Sequence, residues 1–192
     1  MPLIELHQVS VGYQQPVLAN VSFSVNAGDV LGLGGSNGCG KSTLIKALSG
    51  KAKFFSGTVT KTPNLTISLQ QQHPVRLANF PLSVSEYLRL MRADATALPA
   101  RLLALSKKRV DSLSGGQFQL LSSWACLASP SRLILLDEPT NNLDPQGIEL
   151  LLTMLSQRRV DQGIILISHD ADFVQAATTR RMDLTTLHCS DL

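Results

Sequence analysis

One segment restricts the possible folds of this chain more than any other: residues 35–42 read Gly-Ser-Asn-Gly-Cys-Gly-Lys-Ser. An apolar stretch at 30–33 precedes the segment, and a helical pattern at 42–48 follows it. The spacing fits G-x-x-x-x-G-K-[ST], whose backbone N–H groups close around phosphates at the N-terminus of a helix. Because a strand before the loop and a helix after it are the context that this motif requires, we predict a phosphate-binding loop in an α/β fold.

The side chains of this loop have separate predicted roles. Lys41 is predicted to reach the β- and γ-phosphates of a nucleotide, and the Ser42 hydroxyl to bind Mg²⁺. We interpret Cys39 either as a small spacer or as a thiol whose pKa falls at the helix N-terminus, in which case alkylation would block nucleotide binding. The other residues of this region predicted to contact the nucleotide, together with Cys39, are Gly35, Ser36, Asn37, Gly38, Gly40 and Thr43.

Two further apolar stretches end in polar residues. Residues 133–136 lead into Asp137 and Glu138, and residues 164–167 lead towards His169. With a helical pattern between them, they predict parallel strands whose carboxyl ends face one crevice. There we predict Asp137 as a metal ligand, Glu138 as the general base and His169 as a contact to the γ-phosphate. For the carboxylate pair the alternative is a solvated strand end, which the phosphate-binding loop upstream disfavours. For His169 the alternative is a structural histidine, which its place after the third apolar strand disfavours.

The length of the chain limits the number of domains that can surround this site. The 192 residues are enough to bury one core, and we expect a single domain over 1–192. Within it we predict a core formed by about 1–72 and 129–192, with a small helical lobe inserted at 73–128. The alternation of apolar and polar side chains over 17–25 predicts a half-buried strand.

Charge, apolar runs and cysteines exclude several classes of protein. The net charge of +3 comes from scattered basic residues, so nucleic acid is not expected as a partner. The apolar runs are far shorter than the ~20 residues of a membrane-spanning helix, and the N-terminus lacks a secretory pattern, so we expect a cytoplasmic protein. Cys39, Cys126 and Cys189 are odd in number and far apart, which predicts reduced thiols.

Residues 113–117, Leu-Ser-Gly-Gly-Gln, lie upstream of Asp137 and Glu138 and resemble the signature motif of ATP-binding cassette (ABC) ATPases. The resemblance extends from about residue 3 to residue 184. It implies an α/β P-loop NTPase fold with a mixed-sheet core, an N-terminal antiparallel β subdomain and the inserted helical lobe. It also implies that two cassettes pair head to tail as a homodimer, with each ATP held between them. The residues that the second chain would contribute are Ser114, Gly115, Gly116 and Gln117.

The resemblance implies roles for three more side chains. Tyr13 is similar to the aromatic residue that stacks on adenine, although it is equally a packing residue. Gln72 resembles the glutamine that touches Mg²⁺ and the attacking water, while Gln70 and Gln71 leave that register open by a residue or two. Asp144 lies in a stretch that resembles the loop crossing to the second subunit.

The implied partners are transmembrane permease subunits and a substrate-binding protein, with the chain bound peripherally on the inner face of the cell membrane. Residues 72–90 are similar to the corresponding stretch of bacterial zinc and manganese uptake ATPases. Other importers and short exporter subunits, such as those for haem, are alternatives. So are a soluble cassette protein that acts on ribosomes or DNA and a binding module that no longer hydrolyses ATP.

Two features depart from the family pattern. Many relatives carry two arginines in the helix after the signature, whereas residues 118–125 read Phe-Gln-Leu-Leu-Ser-Ser-Trp-Ala. The resemblance therefore predicts missing ion pairs and slow turnover. The chain also ends soon after residue 184, so regulation by a C-terminal domain is not expected.

Overall fold

The computed structural model describes residues 1–72 and 82–185, which form two β-sheets with helices around them. The smaller sheet is antiparallel and contains β1 (Ile4–Gly12), β2 (Pro16–Val25) and β4 (Lys53–Lys61) in the order β2-β1-β4. The strands of the larger sheet are β3 (Val30–Gly34), β5 (Ile67–Gln70), β6 (Leu133–Asp137), β7 (Gly163–Ile167) and β8 (Arg180–Asp183). Their order is β5-β6-β7-β3-β8, and the described strand pairs are all parallel. Parallel and antiparallel pairing thus occur in separate sheets.

Six α-helices and one 3-10 helix complete the described part of the chain. They are α1 (Lys41–Leu48), α2 (Val84–Leu90), α3 (Ala100–Leu103), the 3-10 helix (Val110–Ser112), α4 (Gly115–Leu127), α5 (Pro145–Ser156) and α6 (Ala171–Ala177). The predicted order of strand, glycine loop and helix is confirmed by β3 and α1. None of the helices described has the length and apolar character that crossing a membrane requires.

The central strands β6 and β7 are buried along their whole length because apolar layers cover both faces of the larger sheet. Ile134 and Leu136 belong to the apolar cluster that contains α4 and α5. Leu133 and Leu135, which alternate with them, belong to a second cluster with α1 and the antiparallel sheet. Strands packed on both faces hold their carboxyl ends firmly, which fixes the residues that follow them.

The alternation predicted for β2 is wrong at its start. Val17 is 39% exposed and Leu18 is fully buried, whereas the pattern predicted Val17 on the buried face with Val21. Asn20 lies between Leu18 and Val21, and its φ of 57° is in the left-handed region. The pairing of β1 with β2 shifts at this point. Such a bulge moves the side chains on one side of it to the other face of the sheet.

Helix α4 begins within the signature stretch, and every one of its residues from 118 to 127 is buried. The ring of Phe118 packs edge to face on Tyr87 of α2, with ring centroids 5.9 Å apart. An apolar sequence without arginine fits these surroundings. The first part of the predicted helical lobe, 73–81, lies outside the described residues. So does Cys189, while Cys39 and Cys126 are free thiols.

Candidate functional site

The loop between β3 and α1 has a backbone that requires glycine at two positions. Gly35 and Gly40 have φ of 134° and 99°, values that other residues rarely adopt. A Cβ on Gly35 would lie 2.8 Å from Cys39 Sγ, and one on Gly40 would lie 2.9 Å from Leu18 Cβ. Gly40 is the N-cap of α1, which has no acidic residue in its first turn. The helix therefore begins with backbone N–H groups and a positive dipole end suited to an anion.

Lys41 places a buried cation inside this loop. Its side chain is only 8% exposed, and its ammonium donates to the carbonyl oxygens of Gly35 at 2.6 Å and of Ser36 at 3.0 Å. Cys39 is 1% exposed, and its Sγ lies 4.0 Å from Lys41 Nζ. The loop carbonyls hold the ammonium in place of a counter-ion, so it can exchange them for phosphate oxygens.

Ser42 and Asp137 join the loop to the end of β6. The Ser42 hydroxyl donates to Oδ1 of Asp137 at 3.2 Å, and Asp137 is 3% exposed. Burial raises the pKa of Asp137, while the bond from Ser42 and the charges of Lys46 and Lys41 oppose that rise. A hydroxyl beside a carboxylate is a donor set of the kind Mg²⁺ prefers, so the residues present fit this metal.

Glu138 and His169 form a second pair of side chains at the site. Glu138 accepts from the backbone N–H of His169 at 3.2 Å, and its Oε1 lies 3.1 Å from His169 Nε2. The Glu138 side chain is 6% exposed, whereas that of His169 is 60% exposed. Burial raises the pKa of Glu138, and the backbone N–H and charge of His169 act in the opposite direction. A carboxylate with a raised pKa is the stronger base.

Lys41, Ser42, Glu138 and His169 line one cleft of about 190 Å³, whereas Cys39 and Asp137 are not among its lining residues. Besides backbone of the loop, its lining residues are Asn37, Lys41, Ser42, Thr43, Gln72, Glu138, Ile167 and His169. Among the three candidate glutamines, Gln72 is the one that lines the cleft. Gln70 is 1% exposed and donates to the carbonyl of Gln71 at 2.9 Å. The geometry thus favours Gln72 in the register that the sequence left open.

Other predicted site residues lie away from the cleft. Tyr13 is 45% exposed and lines a separate surface pocket with Lys51 and Lys53. Ser114 is the N-cap of α4 and forms a capping box with Gln117, each side chain bonding the backbone N–H of the other. None of the residues from 114 to 117 lines the cleft of their own chain.

Asp144 has two partners within the chain. Its carboxylate accepts from the backbone N–H of Gly147 at 2.7 Å and so caps α5. It also accepts two bonds from the Arg101 guanidinium, at 3.1 and 2.7 Å. The bonds from Arg101 and Gly147 lower the pKa of Asp144. In the single chain, the Asp144 carboxylate therefore bonds to groups of its own chain.

One buried contact to the site was not predicted from the sequence. Gln119 of α4 is 2% exposed, and its amide donates to the backbone carbonyl of Glu138 at 2.9 Å. A signal was available, because Gln119 is a large polar residue between Phe118 and Leu120 in a mostly apolar stretch. A fully buried amide requires a hydrogen-bond partner, but the sequence does not say which one.

The chain is similar to known proteins of one family. A family model described as ABC transporter matches residues 18–141. The zinc import ATP-binding protein ZnuC of Marinobacter nauticus is 37% identical over 196 residues, covering 98% of this chain and 76% of its own length. That of Ruegeria pomeroyi is 36% identical over 189 residues, covering 93% and 73%. A solved structure of the ATP binding subunit of an ABC transporter has a TM-score of 0.81 at 26% identity, covering 95% of this chain and 86% of that one. The chain belongs to the ABC transporter family, as an ATP-binding and ATP-hydrolysing subunit.

Proposed function

We propose that this chain hydrolyses Mg²⁺-ATP in the cleft between the loop at 35–42 and Glu138, and that this powers uptake of a metal ion, in the first instance zinc. One observation carries the proposal. Lys41, Ser42, Glu138 and His169 line the same cleft, and Asp137 is bonded to Ser42, although these residues come from three separate regions of the sequence. Phosphoryl transfer to water requires a cation on the phosphates, a bound Mg²⁺ and a base that activates the water. Lys41, the Ser42–Asp137 pair and Glu138 would supply these in turn.

ATP binding begins at the loop. The phosphates replace the carbonyls of Gly35 and Ser36 as partners of the Lys41 ammonium, and the N–H groups at the start of α1 bind the same anion. Ser42 and Asp137 would hold Mg²⁺, which neutralises charge on the phosphate oxygens when it is bound. Tyr13 is proposed to stack on the adenine ring from outside this cleft.

Hydrolysis is proposed to use the Glu138–His169 pair. Glu138 takes a proton from the attacking water, the oxygen of that water bonds to the γ-phosphorus, and the bond to ADP breaks. Gln72 is proposed to orient the water and contact Mg²⁺. His169 is proposed to bind the γ-phosphate, because its exposed ring lies at the cleft and is held beside Glu138.

A second copy of the chain completes the site. The residues from 114 to 117 lie outside the cleft of their own chain, yet they begin a helix whose N-terminus suits an anion. We propose that they bind the γ-phosphate of the ATP held by the other chain, and that Asp144 lies in the loop at that interface. We propose that 1–192 form a single domain with a helical lobe at 73–128. Such a domain would present residues 114–117 and Asp144 on one face.

Metal uptake is supported by the relatives at 37% and 36% identity, which are zinc import ATP-binding proteins. The proposed partners are therefore transmembrane permease subunits and a substrate-binding protein. The chain itself would sit peripherally on the cytoplasmic face of the membrane. The relatives do not favour the alternative of a soluble cassette that acts on ribosomes or DNA.

Uptake of radioactive zinc tests the proposed substrate. The gene is deleted in the source organism and replaced by the wild type, by Glu138→Gln or by Lys41→Ala. We expect zinc accumulation to fall on deletion and to return with the wild type alone. Manganese and iron uptake, measured in parallel, report whether the effect is specific to zinc. Unchanged zinc accumulation in the deletion strain, under zinc limitation, would contradict zinc as the substrate, and unchanged uptake of all three metals would contradict metal uptake. Neither result would bear on the proposed hydrolysis of ATP.

A further inference from the structure

The backbone of Glu138 has an uncommon conformation. Its φ is 53°, in the left-handed region that a residue with a side chain seldom adopts. This conformation turns the carboxylate from the end of β6 towards His169. A backbone of this kind persists only where its surroundings hold it, and such positions cluster at functional sites.

The peptide bond between Glu138 and the next residue has only one group that can form hydrogen bonds. The next residue is Pro139, which has no backbone N–H, so the peptide that joins them can form hydrogen bonds only through the Glu138 carbonyl. That carbonyl accepts from the Gln119 amide at 2.9 Å and from the Asn141 N–H at 3.3 Å. Gln119 therefore makes the shorter of the two bonds that fix this peptide.

The anchor of this bond is rigid. Gln119 is 2% exposed and lies in α4, a helix of 13 residues that is buried from Phe118 to Leu127. We infer that Gln119 is a positioning residue: its buried amide holds the Glu138 carbonyl and so fixes the direction of the proposed general base. This inference rests on the proposed role of Glu138 in hydrolysis. Gln119 itself does not line the cleft.

The test replaces the amide without emptying its space. Gln119→Met keeps an unbranched side chain of similar length and removes the donor. We expect kcat for ATP to fall about ten- to a hundredfold, because small displacements of a reacting group cost rates of this order. We expect KM to stay within about twofold, because the phosphate-binding loop is untouched.

The chain offers a matched control in Gln162. It is also a fully buried glutamine, and its amide donates to the carbonyls of Leu127 and Ser131, at the other end of α4. Gln162→Met should lower the melting temperature as Gln119→Met does but leave kcat within about twofold of the wild type. A merely structural role for Gln119 would instead lower kcat in both variants in proportion to the loss of stability.

The outcomes separate the inference from the function on which it rests. Assays use the full chain at concentrations where the wild type hydrolyses ATP, with Glu138→Gln alongside. If Glu138→Gln is inactive and Gln119→Met matches the wild type, the inference is overturned and the function stands. If Glu138→Gln is as active as the wild type, the proposed role of Glu138 fails and the inference fails with it. If Gln119→Met does not fold, Gln119→Asn, whose amide is one methylene too short, is judged by the same results.

Discussion

The Ser42 hydroxyl donates to the carboxylate of Asp137 at 3.2 Å across 95 positions of sequence. Asp137 and the next residue, Glu138, are both almost fully buried, and burial raises the pKa of each carboxyl. Two adjacent buried carboxylates disfavour the fold when no ligand is bound. The arrangement that suits nucleotide binding therefore lowers the free energy of unfolding of the chain without ligand.

Asp137→Asn is expected to stabilise the chain at neutral pH in the absence of nucleotide and divalent cations. Because the pKa of Asp137 is raised in the folded state, its ionisation weakens the fold as pH rises through the interval between the ordinary and the raised pKa. The gain from Asp137→Asn should shrink as pH falls below the ordinary carboxyl range. Urea unfolding at neutral and acidic pH measures the difference.

Asp161→Asn provides the control of opposite sign. The bond from Arg159 lowers the pKa of Asp161, so its carboxylate stabilises the fold above its ordinary pKa and loses that effect as pH falls through the lowered one. This variant should be less stable than the wild type at neutral pH. A loss of stability in Asp137→Asn as well would show that burial does not dominate at Asp137.

Glu138→Gln is expected to separate ATP binding from hydrolysis. The amide keeps the shape of the side chain but cannot accept the proton of water, so hydrolysis should fall at least about a hundredfold. Binding should persist because Lys41 and Ser42 are unchanged. Light scattering with Mg²⁺-ATP should then show a dimer that is absent without nucleotide. A variant that binds ATP and stays monomeric would contradict ATP-driven pairing of the isolated chain.

The thiols of Cys39 and Cys126 should react slowly in the folded chain. Each is 1% exposed, and burial raises the pKa of Cys126 to about 11. We expect iodoacetamide to modify both more than about a hundredfold faster in urea, because the thiolate at the surface is the reactive form. Mass spectrometry of the separate peptides measures each rate. Rapid modification of Cys39 without urea would instead support the interpretation as an activated thiol.

Short motifs were the part of the site that the sequence could predict. The loop at 35–42 and the carboxylates of Asp137 and Glu138 lie at the ends of buried strands, and parallel packing brings such ends together whatever lies between them. The bulge at Asn20 was not predictable, because an asparagine adopts the left-handed region only where neighbouring strands require it. The bond from Gln119 to Glu138 was missed because it depends on how α4 docks on the sheet, which no local pattern encodes.

The two glycines of the signature separate structure from function. A Cβ on Gly116 would overlap the carbonyl oxygen of Asn142, whereas one on Gly115 would meet Asn142 Cβ at an ordinary 3.6 Å. Gly116→Ala should therefore destabilise the chain by about 1–3 kcal/mol, and Gly115→Ala should change its stability by less than about 0.5 kcal/mol. Urea unfolding measures both.

If the signature binds the ATP of a partner chain, Gly115→Ala should still lower hydrolysis about tenfold or more, because the added methyl group occupies space at the start of α4 where the γ-phosphate would bind. Since its own fold tolerates the methyl group, such a loss reports contact with something outside the chain. Mixing the Gly115→Ala and Lys41→Ala chains then tests whether each site is built from one chain or from two. A mixed dimer has one site built from the intact loop of the first chain and the intact signature of the second, so partial recovery of hydrolysis indicates a shared site. Activity no higher than either variant alone would place the defect within one chain and contradict head-to-tail pairing.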